Sequence, residues 1–389
     1  MSDETAKPAR IFISVAEASA DVHAGALLRR AKAVLPNAQF FGLTGPQMRE
    51  AGAQTLCDLS AHAAMLTGVF SVIGRAWKAI KLVEQAWRAA PPDLVVLLDA
   101  PELHLRLAQR ARARGLPVLY YIAPQTWASR EGRNRQLATS VDRLACILPF
   151  EQEYFRRASV NAEYVGHPLF ESLQRETPDP AVVKRLRSNG GPLLAVMPGS
   201  RRHVIDAVLP LQLQALRRLR ADGVAVQTVI SALSEERAAQ IHSHAADCGM
   251  PAEVIVADNA SVLTAADLVL VASGTATLHV AHYRKPMVVL YDAGRLLAAL
   301  HRPLGRFILK TPHLSLVNIL ASRRVTPEFM PFVRDTGEVA RVIGRLLTDE
   351  GWRRLMIDQI DEVVRPLEAT SASANVCRII REMLEQRRA

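Results

Sequence analysis

The stretch PLLAVMPGSR, residues 192–201, decides how this chain is built. Five apolar residues in a row, Leu193 to Met197, show no alternation, so the segment reads as a strand buried on both faces. Pro198, Gly199 and Ser200 then form a tight turn, and AVLPLQLQALRRLR follows with helical spacing. Parallel strands cannot be joined by hairpins, so strand, small-residue turn and helix is the repeating unit of a parallel sheet. The unit recurs in the second half at VAVQTVISAL, AEVIVAD, DLVLVASGTATL and PMVVLYD. It recurs in the first half at RIFISVA, AQFFGLTG, PPDLVVLLDAP, LPVLYYIAP and RLACILPF. The expected fold is α/β, with two Rossmann-like, doubly wound parallel-sheet domains facing a cleft and ligands at the carboxyl ends of the strands.

A length of 389 residues suits two domains of about 150–200 residues each. The expected division is a first domain over residues 1–175, a linker over 176–192, a second domain over 193–350, and C-terminal helices over 351–389 that pack back toward the first. The linker rests on ETPDPAVVKRLRSNGGP, where prolines and a glycine pair gather. Hydrophobic residues make up 49% and charged residues 22%, an ordinary globular balance rather than a disordered one. The opening MSDETAKPARIFISVAEAS has no uninterrupted apolar stretch, so no signal peptide is expected, and no run approaches the roughly 18 residues of a membrane span. Cys57, Cys146, Cys248 and Cys377 lie far apart, which suits a reducing cytoplasm and gives neither a disulfide framework nor a zinc site. The net charge of +10 fits an anionic membrane face, a phosphorylated substrate or plain solubilising arginine. With 5% aromatic residues and no recognisable motif, nucleic acid is not an expected partner.

Several turns carry residues that could do chemistry. Gly199, Ser200 and Arg201 offer backbone N–H groups and a guanidinium that could hold phosphate oxygens, or form an ordinary surface turn. Ser273, Gly274, Thr275 and Thr277 open a helix after another strand, as a pyrophosphate cradle or a plain N-cap would. Two such turns in one half favour a nucleotide site, although neither a dinucleotide-binding G-x-G-x-x-G nor a Walker loop is present. In the first half Asp99 ends a buried strand, placed as a general base or as a helix-capping aspartate. Glu17, Ser19 and Asp21 occupy the equivalent ledge after the first strand, as ligand contacts or with Asp21 as the N-cap of the helix DVHAGALLRRAKAVL. His242 with His244, and His279 with His282, lack the further ligands of a zinc site, so no metal is expected. In FSVIGRAWKAIKLVEQAWRAA, Ile73, Trp77, Ile80, Val83 and Trp87 share an apolar arc edged by Arg75, Lys78, Lys81 and Arg88. Such a helix either lies in a membrane interface or packs on its own sheet.

The strings EASAD, GLTGPQMREAG, DAPELH, APQTWA, LPFEQEYF, VGHP, MPGSR, ASGTATL, PMVVLY and SLVNILA occur in this order. With them the chain resembles the lipid-A-disaccharide synthase family of inverting glycosyltransferases. The resemblance implies a GT-B fold, an acceptor site in the first domain and a nucleotide-sugar site in the second. It implies transfer of 2,3-diacylglucosamine from its UDP donor to the 6-hydroxyl of 2,3-diacylglucosamine 1-phosphate, with inversion and a β-1,6 link. The partners it implies are UDP-diacylglucosamine, acylated glucosamine 1-phosphate and the inner face of the cytoplasmic membrane. No cofactor or metal is implied, and a homodimer is left open. Asp99 would take the acceptor proton, Arg201 and the amides of Ser273 to Thr275 would stabilise the leaving UDP, and Asn318 matches a functional position. The family has glutamate where His279 stands, a carboxylate that could take both ribose hydroxyls, and commonly an acid where Val204 stands. It has glycine where Ala16 and Ala20 stand, and a positive φ at either would cost about 1 kcal/mol. A transferase with another donor or acceptor, and a nucleotide- or lipid-binding homologue without turnover, are the alternative readings.

Overall fold

The computed structural model describes residues 8–59, 69–129, 131–292 and 313–388. Among these residues two sheets form, and every strand pairing in them is parallel. The first contains β1 (Arg10–Ser14), β2 (Gln39–Leu43), β3 (Gln54–Cys57), β4 (Leu94–Leu98), β5 (Val118–Tyr121), β6 (Arg143–Cys146) and β7 (Ala162–Tyr164), in the order β3-β2-β1-β4-β5-β6-β7. The second contains β8 (Leu193–Met197), β9 (Gln227–Ala232), β10 (Glu253–Val256), β11 (Leu268–Ala272), β12 (Met287–Leu290) and β13 (Glu328–Phe329), in the order β10-β9-β8-β11-β12-β13. The central strands β4, β8 and β11 are buried at every residue, as their unbroken apolar runs require.

The chain divides into two units, one of Met1–Glu171 with Thr370–Ala389 and the other of Ser172–Ala369. The division corrects the expected boundaries. Residues 176–192 belong to the second unit and contain the helix Pro180–Arg187, capped by Asp179, with Leu186 buried. Asp179 N–H also donates to Ser261 Oγ at 2.7 Å, so the proline-rich stretch is fastened down. At the other end, the helix Glu350–Glu368 stays with the second unit, and only Ala372–Arg388 returns to the first. There Val376, Ile379, Ile380 and Met383 join the core beneath β1 and β4, packing beside the helix Ala18–Val34.

The opposite face of the first sheet is covered by the helix Val69–Ala89, which decides between the two readings of its apolar arc. Ile80, Val83 and Trp87 are buried in the core, with Trp87 edge-on to Phe12 at 5.1 Å. The helix therefore packs on its own sheet. Trp77 alone of that arc is exposed, at 44%, with Arg106 and Arg110 over its ring, and the Ile73 side chain lies outside the described residues.

Aspartates pin the amino edges of both sheets. Asp93, Asp142 and Asp267 each stand one residue before a strand and accept the N–H that opens the neighbouring strand, from Arg10, Val118 and Leu193, each at 2.8 Å. Their carboxylates do what a ladder carbonyl cannot do at a sheet's end. Asp93→Ala is expected to cost about 1–2 kcal/mol, read as a lower urea midpoint of the full chain. An unchanged midpoint would show the pin to be idle.

Candidate functional site

In each sheet the strand order reverses once, between β1 and β4 in the first and between β8 and β11 in the second. Loops leaving those paired strands diverge to opposite faces, which opens a crevice at their carboxyl ends. Apart from Asn318, which lies in the helix Leu316–Ala321 after β12, the residues singled out from the sequence follow these four strands. Positive φ angles at non-glycine residues occur at helix ends and strand ends, and two of them, Asp99 and Ala100, fall at the switch point of the first sheet. Ser159, Arg284 and Ser322 are ordinary helix ends, whereas Asp99, Ala100, Ile122 and Ala257 close strands.

The first unit carries the most strained of these turns. Asp99 (φ 53°) and Ala100 (φ 45°) are consecutive left-handed residues, which costs about 1–2 kcal/mol per residue for a side chain with a Cβ. Two donors converge on the Asp99 carbonyl, His104 Nδ1 at 2.7 Å and the Tyr120 hydroxyl at 2.5 Å. A carbonyl only accepts, so Nδ1 carries the proton and Nε2 accepts from the Ser14 hydroxyl at 2.8 Å. His104 is fully buried, and desolvation holds its imidazole down at about 4, so it is neutral. Sequence reading placed Asp99 but missed Ser14, His104 and Tyr120; a histidine on the apolar face of the helix Pro101–Arg112 was the available signal. A recess of about 550 Å³ lies beside this turn, lined by Pro101, Glu102, Arg106 and Arg133 among others.

The loop after β1 divides its residues between two tasks. Glu17 and Ser19 are exposed at the start of the helix Ala18–Val34, for which Glu17, and not Asp21, is the N-cap residue. Asp21 is buried, and its carboxylate accepts from Gly45 N (3.0 Å), Gln47 N (2.8 Å) and Met48 N (3.2 Å). It caps the short helix Pro46–Glu50 from outside, which gives its carboxylate a structural task. Gly45 is required there, since a Cβ would stand 2.4 Å from the Asp21 carboxyl carbon. Ala16 and Ala20 are absent from the positive-φ residues, and Ala20 lies inside the helix, where alanine is the best former. The cost attached to losing glycine at these positions does not arise.

Among the strings further along, APQTWA and LPFEQEYF hold each other. The Trp127 indole donates to Glu151 at 3.0 Å, and Glu151 also accepts from Ile147 N and Leu148 N. Burial pushes the Glu151 carboxyl up to about 7.

In the second unit, Gly199 takes φ 105°, and a Cβ there would meet Val204 Cγ1 at 2.8 Å. Ser200 and Arg201 are exposed at the start of the helix Arg202–Ala221, whose first turn has no acidic residue and no side-chain cap. In the turn after β11, Ser273 is half-buried while Gly274 and Thr275 are exposed, with open space above Gly274 at φ 132°. Thr277 is buried, and its hydroxyl donates to Gly274 O at 2.8 Å, so it shapes the turn and has no hydroxyl proton left for a ligand. Asn318 is saturated: its amide donates to Thr326 O and Glu328, and its carbonyl accepts from Val325 N and Thr326 N. It ties the helix Leu316–Ala321 to the segment Val325–Glu328. His279 pairs with Glu176 at 3.1 Å, so a carboxylate still stands at this place, supplied from residue 176. The nearby Tyr283 hydroxyl is pushed up to about 12 by burial and by Glu176. A second recess, of about 540 Å³, lies at the opposite, amino edge of this sheet, where Arg187 pairs with Asp267 and Arg284 with Glu368 and Asp361. Among the described residues no three His, Cys, Asp or Glu side chains gather as metal ligands, and no helix is long and apolar enough to cross a membrane.

Comparison with known proteins gives a consistent answer. The profile of the family described as Lipid-A-disaccharide synthetase matches residues 11–374. The Lipid-A-disaccharide synthase of Myxococcus xanthus is 34% identical over 381 residues, covering 97% of this chain and 98% of that one. The Staphylococcus aureus MnaA–UDP co-structure superposes with a TM-score of 0.64 at 13% identity, over 96% of this chain and 95% of that one. The glycotransferase of kitacinnamycin gives 0.60 at 14% identity, over 97% and 100%. At such identities the structural likenesses speak for the fold, which is GT-B.

Two outcomes follow from the geometry. Asp21→Ala leaves three N–H groups without their acceptor and is expected to destabilise the chain by about 2–3 kcal/mol in urea unfolding; full stability would contradict the capping role. His104 takes up a proton only near pH 4 when folded but near 6.5 when unfolded, so its stabilising contribution is complete above pH 6.5 and is lost as pH falls toward 4. His104→Asn should flatten the slope of unfolding free energy against pH in that window by about one proton. An unchanged slope would mean that the imidazole is not held neutral.

Proposed function

The chain belongs to the lipid-A-disaccharide synthase family of glycosyltransferases, and from that premise we propose how its residues divide the reaction. The donor is UDP-2,3-diacylglucosamine and the acceptor 2,3-diacylglucosamine 1-phosphate. The acceptor 6-hydroxyl attacks the anomeric carbon, the bond to the diphosphate oxygen breaks with inversion, and UDP leaves with the electron pair. The proton passes to the Asp99 carboxylate. Two features support this role: Asp99 stands at the switch point of the first sheet and is held in a strained turn. Arg106 and Arg133, in the recess beside it, suit an acceptor that carries phosphate.

On the donor side, Arg201 and the backbone amides from Gly199 to Arg201 and from Ser273 to Thr275 hold the diphosphate and stabilise the charge that develops on it. Glu176, held by His279, accepts from the ribose hydroxyls. Both substrates are acylated, so the enzyme works at a membrane surface, on the inner face of the cytoplasmic membrane. Exposed Trp77 and Leu82, among Arg75, Lys78, Lys81 and Arg88, are suited to contact anionic lipid there.

The observation that carries the reading is that each sheet has one switch point, each furnished by strings on which the family likeness rests. Purified protein given both substrates should release UDP and form the disaccharide. Asp99→Ala should abolish release while leaving UDP affinity unchanged. UDP binding with no turnover by the unaltered protein would overturn the reading in favour of a binding protein. For the donor side, Glu176→Gln and Arg201→Ala should each weaken UDP binding by about tenfold in calorimetry. Wild-type affinity in Glu176→Gln would remove the carboxylate from the site.

A further inference from the structure

We propose that His104 is a positioning residue for the transfer, acting on Asp99 through the main chain. The proposal rests on the reading of Asp99 as the proton acceptor. A chain of buried hydrogen bonds joins the two strands of the switch point: Ser14 ends β1, Asp99 follows β4, Tyr120 lies in β5, and His104 reaches back from the helix Pro101–Arg112. Its bonds terminate on one atom, the Asp99 carbonyl oxygen, while Asp99 N–H is held by Tyr121 O at 3.0 Å. Both ends of the residue are therefore clamped at the φ of 53° from which its side chain departs.

Stability alone does not call for this arrangement. A polar pair in a core can be replaced by apolar groups of similar shape with little net loss, because each buried polar group must first be desolvated. Nor does His104 serve as an acid or base itself, since it is fully buried and its two ring nitrogens are both occupied within the fold. What the clamp supplies is orientation. A base displaced by about 1 Å from the proton it must accept loses on the order of 100-fold in rate.

Two substitutions separate orientation from bulk. Asparagine places its amide N–H near the position of the ring Nδ1, so His104→Asn keeps a donor for the Asp99 carbonyl. Glutamine places its amide near Nε2, so His104→Gln keeps a partner for Ser14 and loses that donor. The expected result is a fall in kcat of about 100-fold for His104→Gln with KM within about twofold, and recovery to within about fivefold of wild type in His104→Asn. In an Asp99→Asn background, His104→Gln should have no further effect on the residual rate, because its action passes through Asp99. Equal kcat in His104→Gln and wild type, or an undiminished effect of His104→Gln in the Asp99→Asn background, would overturn the proposal. Should His104→Gln lower the unfolding midpoint, Tyr120→Phe removes the other donor without a cavity. It should reduce kcat about five- to tenfold, again with KM unchanged, and an unaltered kcat there would count against the clamp. Wild-type turnover by Asp99→Asn alone would instead sink the underlying assignment of the base, and is distinguishable because it needs no His104 variant.

Discussion

Parallel strands cannot be connected by short turns, and the rest of this structure depends on that constraint. Each connection must cross a face of the sheet, and where successive crossings change face, two neighbouring strands send their loops apart. In this chain that happens between β1 and β4 and again between β8 and β11. The loops so placed contain Glu17, Ser19, Asp99, Gly199, Arg201, Ser273 and Thr275. Positive φ angles occur in the same loops, with strain at Asp99 and Ala100 and glycine at Gly199 and Gly274. The amino edges, by contrast, are finished with satisfied aspartate pins.

How much of this was legible in the sequence depended on burial. The strands β1, β2, β4, β5, β6, β8, β9, β11 and β12 announce themselves as apolar runs, and β10 as a shorter one. The strands β3 (QTLC), β7 (AEY) and β13 (EF) do not, because they are short and mix polar with apolar residues. The linker misled for a related reason. Prolines and glycines mark where a chain turns, and they do not say whether the turn is fastened, as Asp179 and Leu186 fasten this one. For single residues, position in the chain places most of them after the carboxyl ends of strands, yet the division of labour among them depended on tertiary partners. Asp21 and Asn318 have the polar chemistry of ligand contacts, but they hydrogen-bond within the fold, to Gly45, Gln47 and Met48, and to Val325, Thr326 and Glu328. No spacing rule reveals that.

The departures from the family pattern acquire physical explanations of the same kind. Alanine replaces glycine in the first loop at no conformational cost, since Ala16 and Ala20 adopt ordinary right-handed or extended backbone. Histidine replaces glutamate at position 279, and Glu176 brings a carboxylate to it from another segment of the same unit. His104 closes the string DAPELH, and its imidazole binds the carbonyl of the aspartate that opens that string. The alanines carry no cost and the histidine is paired with a carboxylate, so a substituted motif residue need not signal a lost activity.

The central claim is that the ligand chemistry of the second unit resides at the switch point of its sheet. Amide hydrogen exchange of the full chain with and without UDP tests it directly. The account predicts added protection confined to the turns at Gly199–Arg201 and Ser273–Thr275 and to the segment around His279. Protection at the amino edge, around Arg187 and Lys285, with those turns unaffected, would contradict it.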